Sequence, residues 1–226
     1  MKKSWQPNPC LNSLLYHTGR SYLLHKNQHS ASLEKIQKII FEQNLGSISF
    51  EDAISKTYFF HKIAQLVDVP VVYLDFDLLY SGYLAANILP YNENLELLAP
   101  KEDWRDHIVQ TMNKISQKKY LVLIDSLNGF FASMVDQKDS GRIINSILVL
   151  LSSAAKKADS VILVGSTAKF KKDEGWILPG IGRHVVQIKQ MSFLAVRKKD
   201  ESLNLLSLNH DNSVKSATPL DDLDLV

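Results

Sequence analysis

The sequence predicts an α/β fold with a mostly parallel central sheet flanked by helices, and with antiparallel strands at its C-terminal end. Residues 120–125 (YLVLID) and 160–165 (SVILVG) are short apolar runs, as expected for strands buried on both faces of a parallel sheet. Segments with helical spacing of apolar residues alternate with such runs up to Gly165. Beyond Gly165 the pattern changes to short strands separated by turn signals, which favours antiparallel pairing.

Each element is predicted from its own pattern of apolar residues. Leu33, Ile36 and Ile40 recur at the spacing of an amphipathic helix, and three later segments repeat that spacing. The predicted helices are residues 32–43, 57–67, 101–117 and 142–157. The predicted strands are residues 47–50, 69–75, 95–99, 120–125, 160–165, 184–188, 193–197 and 203–208.

The chain divides into three predicted regions. Residues 1–31 are rich in Asn, Ser and His and predict an irregular N-terminal arm. Residues 32–211 hold the predicted helices and strands and form the core domain. Residues 212–226 end in an acidic segment and predict a disordered tail.

Composition indicates an ordinary globular protein of the cytoplasm. The 226 residues carry a net charge of +2, and 45% of them are hydrophobic. No apolar run approaches the about 20 residues that a membrane span needs, and no apolar core follows the first lysines, so neither a membrane protein nor a secreted one is expected. Cys10 is the only cysteine, which excludes an internal disulfide and argues against a structural zinc site.

A carboxylate closes the apolar run of the strand at residues 120–125. Asp125 stands at the C-terminal end of this strand, where open α/β sheets bind their ligands. In nucleotide-binding folds, a carboxylate at this place handles the magnesium ion of a nucleoside triphosphate. The alternative is an aspartate that caps the turn into the next segment.

Four segments carry a resemblance to a known family. They are Ser32-Leu33-Glu34 followed by Leu45-Gly46-Ser47-Ile48, then Ser55-Lys56-Thr57, Tyr73–Asp77 and Leu123–Leu127. Their order and spacing resemble the RecA superfamily, specifically the archaeal RadA/RadB recombinases and the KaiC-like proteins, over about residues 32–210. The resemblance implies a RecA-like fold in which Ser55-Lys56-Thr57 opens the P-loop helix and Leu123–Leu127 is the Walker B strand.

The sequence departs from this family at the phosphate loop. A working loop reads G-x-x-x-x-G-K-[ST], whereas residues 50–57 read FEDAISKT and lack both glycines. A residue other than glycine costs about 1–2 kcal/mol in a left-handed conformation, and Glu51 and Asp52 add negative charge where phosphate would lie. We therefore predict a decayed P-loop. ATP with magnesium is the cofactor that the resemblance implies, and no cofactor is certain.

The resemblance also implies roles for single residues. The nucleotide-binding candidates are Ser55, Lys56, Thr57, Asp125 and Ser126, with Thr57 and Asp125 as the magnesium ligands. Asp77 falls near the family's catalytic glutamate, which orients the attacking water. Without a nucleotide, Lys56 is a solvent-facing lysine, Thr57 starts a helix and Asp77 lies in a turn.

Two further segments suggest contacts with other molecules. In the recombinases, the region after the 160–165 strand faces DNA, and the DNA-binding candidates here are Lys169, Phe170, Lys171, Lys172 and Trp176. The alternative is a solvated basic loop whose aromatic side chains pack on the protein. Arg183 is the subunit-interface candidate, and its alternative is a turn before a strand.

These observations predict an accessory or regulatory subunit, non-catalytic or weakly active, that works in DNA recombination or repair. It would act through a protein partner or through self-association of its core, with DNA as a further ligand and without a membrane. One alternative is an active recombinase-like or KaiC-like ATPase with a non-standard phosphate loop. Another is a scaffold subunit of an assembly like the Elongator subcomplex, whose members also lack P-loops.

Overall fold

This computed structural model describes residues 33–134, 136–172, 175–177, 191–199 and 202–223. The predicted arm over residues 1–31 and the predicted strand over residues 184–188 lie outside the described residues. In the part of the chain that is described, no helix is long and apolar enough to cross a membrane.

The core of the protein is an eight-stranded sheet. Its strands are β1 (Leu45–Phe50), β2 (Val71–Asp75), β3 (Leu95–Leu98), β4 (Leu121–Asp125), β5 (Val161–Thr167), β8 (Ser192–Lys199), β9 (Ser202–Leu208) and β10 (Val214–Pro219). They lie in the order β10-β9-β8-β1-β5-β4-β2-β3. All neighbours from β8 to β3 pair in parallel, whereas β9 pairs antiparallel with both β8 and β10. The predicted fold class is confirmed.

Helices cover both faces of the sheet. They are α1 (residues 33–40), α2 (Ala53–Leu66), α3 (Leu79–Ala85), α4 (Trp104–Ile115), α5 (Leu127–Ala132) and α6 (Ser140–Ala155). A short 3₁₀ helix follows at Asp221–Leu223, and a separate hairpin is formed by β6 (Lys169–Lys171) and β7 (Gly175–Ile177).

Burial on two faces explains the continuous apolar runs. In β4, Leu121 and Leu123 join the apolar cluster that contains α1, α2 and α3. Val122 and Ile124 point the other way and join the cluster that contains α4, α5 and α6. Because successive strand residues point to opposite faces, every residue of this strand has to be apolar except at the end.

Helix α2 begins earlier than predicted. We expected it to open at Thr57, but its first residue is Ala53 and its N-cap is Asp52. Only Glu51 and Asp52 therefore lie between the last residue of β1 and the first residue of α2. Strands β1 to β5 and helices α4 and α6 agree with the predicted segments to within a few residues.

Two short helices were not predicted. Helix α3 has seven residues and α5 has six, so neither is long enough to repeat an amphipathic pattern. Each also contains a glycine, Gly82 in α3 and Gly129 in α5, which is unfavourable in a helix by about 1 kcal/mol relative to alanine.

The prediction of a disordered tail is wrong for the described residues of that segment. Strand β10 pairs with β9, and Leu220 and Leu223 are only 2% and 3% exposed in the core. The pattern was misleading because β10 is an edge strand in which Thr218 alone is buried. The segment therefore looks polar although it is part of the sheet.

If the tail belongs to the core, Leu220→Ala should lower the free energy of unfolding by about 2–5 kcal/mol, because it removes a buried side chain. The matched control is Val214→Ala in the same segment, which should change it by less than about 1 kcal/mol because Val214 is 56% exposed. Urea denaturation measures both. Equal effects for the two variants would contradict the observed packing.

Candidate functional site

The candidate site residues meet at the C-terminal edge of the parallel strands. Asp75 ends β2 and Asp125 ends β4, and the two residues are register partners. The backbone N–H groups of Phe76 and Asp77 donate to the carbonyl oxygen of Asp125, at 2.6 and 3.2 Å. These bonds hold Asp77 beside the end of β4.

Lys56 projects from α2 into this cluster and is fully buried. Its Nζ donates to Oδ2 of Asp77 at 2.5 Å and to Oδ1 of Asp125. Burial lowers the pKa of Lys56, but the charges of Asp125 and Asp77 outweigh it and hold the pKa above its ordinary value. Lys56 is therefore a charged side chain inside the protein, and the alternative of a solvent-facing lysine is wrong.

Asp125 is also fully buried, and its second oxygen has a partner of its own. The hydroxyl of Tyr73 donates to Oδ2 of Asp125 at 2.5 Å. Burial raises the pKa of Asp125, against the opposing effects of Lys56 and of the hydrogen bond from Tyr73. The peptide bond from Asp125 to Ser126 is cis.

Asp75 is a third carboxylate of this edge, and the sequence did not single it out. Its Oδ2 accepts from the backbone N–H and the hydroxyl of Ser81, at 2.7 and 2.6 Å. Its Oδ1 is buried and has no hydrogen-bond partner among the described residues. Burial raises the pKa of Asp75, and the bonds from Ser81 oppose that rise without reversing it.

The side chain of Asp52 caps the N-terminus of α2. Asp52 accepts from the backbone N–H of Ser55 at Oδ1 and from its hydroxyl at Oδ2, both at 2.7 Å. From Phe50 to Thr57, no residue has a positive φ. The expected left-handed strain at the missing glycines is therefore absent, because Ala53, Ile54 and Ser55 form the first turn of the helix instead of a loop.

The two remaining hydroxyl candidates are bonded within their own helices. Thr57 is buried and donates to the carbonyl oxygen of Ala53 at 2.9 Å. Ser126 is the N-cap of α5 and accepts from the backbone N–H of Gly129 at 3.3 Å. In the described part of the chain, no group of three or more His, Cys, Asp or Glu side chains is placed to hold a metal ion.

Two glycines make room for the cluster, and no sequence pattern signals either of them. A Cβ at Gly129 would lie 2.3 Å from Oδ1 of Asp77 and 2.9 Å from the backbone of Phe76. A Cβ at Gly165 would lie 2.8 Å from the ring of Phe60 and 3.4 Å from Cδ of Lys56. Both positions need the absence of a side chain rather than an unusual backbone.

The DNA-binding candidates lie on the hairpin that follows β5. Lys169, Phe170 and Lys172 are exposed, with Phe170 at 62%. Phe170 in β6 is the register partner of Trp176 in β7, and Lys171 pairs with Gly175. The hairpin forms a two-stranded sheet of its own. Arg183 lies outside the described residues.

The cluster around Lys56 should depend on Gly129. In Gly129→Ala the new methyl group must displace Asp77, so we expect the free energy of unfolding to fall by about 1–3 kcal/mol. Gly82→Ala is the control, since a Cβ at Gly82 would have no atom within 4 Å and alanine favours a helix. Chemical denaturation of both variants tests this, and a stable Gly129→Ala protein would contradict the tight fit.

Asp75 should make the stability depend on pH in a defined direction. Because its folded pKa is raised above the ordinary value of 3.8, the proton stabilises the folded state. That contribution is fully present below pH 3.8 and is lost as the pH rises through the folded pKa. In Asp75→Asn we therefore expect stability relative to the original protein to increase over this window. Denaturation curves across the acid range measure it, and parallel pH profiles would contradict the assignment.

Comparison with known proteins supports the architecture alone. No protein-family model matches the sequence. No curated protein matches it either. Among solved structures, a crystal structure of the RadB recombinase is similar over 77% of this chain and 86% of that one, with 16% sequence identity and a TM-score of 0.50. At this level of identity the likeness establishes the course of the chain, and with the strand order from β8 to β3 it identifies the fold as RecA-like.

Proposed function

We propose that this chain is a cytoplasmic accessory or regulatory subunit with a RecA-like fold, non-catalytic or weakly active, that works in DNA recombination or repair. The observation that carries the proposal is that carboxylates of the chain itself accept hydrogen bonds from the groups that would otherwise bind phosphate. Asp52 accepts from Ser55 at the start of α2, and Asp77 and Asp125 accept from Lys56.

The connection from β1 to α2 supports a decayed phosphate site. A phosphate loop presents several backbone N–H groups to the anion from a wide turn at a helix N-terminus. Here the turn is two residues long, and the N–H of Ser55 already donates to Asp52. A nucleotide would have to displace this carboxylate and approach Glu51 as well.

The state of Lys56 supports the same proposal. A phosphate could reach its ammonium group only by replacing Asp77 or Asp125, and Asp125 is fully buried, so it would lose its counter-charge inside the protein. Breaking a buried ion pair costs about 3–5 kcal/mol. That cost corresponds to a loss of roughly a hundred- to several-thousand-fold in nucleotide affinity.

The residues predicted to bind magnesium and to orient water, Thr57 and Asp77, also support the proposal of a decayed nucleotide site. The hydroxyl of Thr57 is bonded to Ala53 rather than open to an ion, and Oδ2 of Asp77 is bonded to Lys56. The arrangement does not fit a magnesium nucleotide, so no catalytic step is assigned to it. This supports a function in binding rather than in catalysis.

DNA is one ligand that we propose, through the hairpin of β6 and β7. Lys169 and Lys172 are exposed cations, and Phe170 exposes most of its ring between them. Lysines with an interleaved aromatic ring suit phosphate contact and base stacking. The other ligand that we propose is a protein, either a partner with a RecA-like fold or a second copy of this chain bound through the core.

Calorimetric titration with ATP and magnesium should give no heat of binding. Lys56→Ala should lower the free energy of unfolding by about 3–5 kcal/mol, because it leaves the buried carboxylate of Asp125 without a counter-charge. The control is Lys56→Met combined with Asp77→Asn and Asp125→Asn, which removes the charges together and should recover much of that loss.

The opposite outcome would be an active ATPase with a non-standard phosphate loop. It predicts micromolar ATP affinity with turnover, and it predicts that Lys56→Ala and Asp125→Asn abolish turnover in a protein that stays folded. That pair of results would overturn the proposed function.

A further inference from the structure

Two pairs of lysines lie at the edge of the sheet opposite to the Lys56 cluster. Lys118 and Lys119 follow the C-terminal end of α4, just before β4. Lys156 and Lys157 follow the C-terminal end of α6, just before β5. All four side chains are exposed. Since β4 and β5 are neighbours in the sheet, the two loops enter it side by side.

Ser160 ties these two loops together. Its buried hydroxyl accepts from the backbone N–H of Tyr120 at 3.0 Å and donates to the carbonyl oxygens of Ile115 and Lys118, at 3.0 and 3.1 Å. The N–H of Val161 donates to the carbonyl oxygen of Tyr120 at 2.9 Å. The two lysine pairs are therefore on loops whose relative position is fixed.

An aromatic groove adjoins this cluster on the side of α1. The ammonium of Lys119 lies 5.5 Å from the ring centre of Phe41. Both line a groove of about 400 Å³. The other residues that line it are Glu34, Gln37, Lys38, Val67, Asp68 and Val69. Phe41 is half-buried, so one part of its ring faces the groove.

The four lysines outweigh the negative charge of the two loops that carry them. Each helix C-terminus carries about half a negative charge, and Asp159 supplies one more in the loop after Lys157. The two loops by themselves therefore carry a net charge of about +2. Glu34 and Asp68 line the groove, and their carboxylates repel an anion. We therefore expect phosphates to contact the lysines and an uncharged group to occupy the groove.

We propose that this basic edge, Lys118, Lys119, Lys156 and Lys157 with the Phe41 groove, binds a single-stranded nucleic acid. The lysines contact successive phosphates, and the groove takes an unstacked base on the Phe41 ring, from which the base displaces the ammonium of Lys119 toward a phosphate. A seven-residue strand such as β5 spans about 20 Å, so this surface lies that far from the hairpin at the other edge. The inference does not depend on whether the Lys56 cluster binds a nucleotide.

The test is a salt titration of the full chain with a fluorescein-labelled oligothymidylate, followed by fluorescence anisotropy. Each lysine that contacts a phosphate contributes about 0.7 to the slope of log affinity against log salt for a single strand. We expect Lys118→Gln with Lys119→Gln, and separately Lys156→Gln with Lys157→Gln, to lower the slope by about 1.4 each. Phe41→Leu should weaken binding about tenfold without changing the slope.

The control pair lies at the other ends of the same two helices. Lys101→Gln with Lys138→Gln removes the same charge just before α4 and α6, and it should leave the slope unchanged. Both lysines are exposed. A second comparison uses Lys169→Gln with Lys172→Gln. It measures how much of the slope of log affinity against log salt comes from DNA contacts of the hairpin. Circular dichroism melts establish that each variant is folded.

Four results would overturn the proposal. The first is that the original protein does not bind the oligothymidylate at low salt, and the second is that the control pair changes the slope as much as the lysine pairs do. The third is that Lys169→Gln with Lys172→Gln alone removes the whole slope. The fourth is that polyglutamate at equal charge displaces the DNA completely. The last would assign the surface to an acidic protein segment instead.

Discussion

A lysine held between two carboxylates is the interaction on which the C-terminal edge of the sheet depends. Lys56 comes from α2, Asp125 ends β4, and Asp77 follows β2, so one ammonium group joins three parts of the chain. Removing the charges of Lys56 and Asp125 from water costs several kcal/mol for each of them. Their mutual attraction and the hydroxyl of Tyr73 offset that cost only if the geometry is kept. This explains why neighbouring positions, such as Gly129 and Gly165, leave no room for a side chain.

Much of the architecture could be predicted because two-sided burial leaves a clear signal in sequence. The runs that became β2, β4 and β5 are apolar throughout since each packs against helices on both faces. Helices α4 and α6 were predicted because each is long enough to repeat its apolar positions. Elements without such repetition were missed, namely the short α3 and α5 and the mostly exposed edge strand β10.

The candidate site was only partly predictable, for a different reason. The sequence indicates that Lys56, Asp77 and Asp125 lie at strand and helix ends, and the structure brings them together. A residue pattern does not show which hydrogen-bond or ion-pair partner each side chain has in the folded protein. Strain was expected at the positions of the missing glycines, but the chain avoids it by extending α2 through them. Asp75 ends the run of residues 69–75 as Asp125 ends its own, but the pattern does not show the contact of Asp75 with Ser81.

The cap that Asp52 forms on α2 has a consequence for how the protein behaves in a cell. A protein that binds a nucleotide only when folded gains stability by mass action as the nucleotide concentration rises. Because the N–H group and the hydroxyl of Ser55 in the first turn of α2 are already bonded to Asp52, they do not need an external anion. Under the proposed function, the folded fraction and the lifetime of this chain depend on its own interactions and do not change with the nucleotide concentration in the cell.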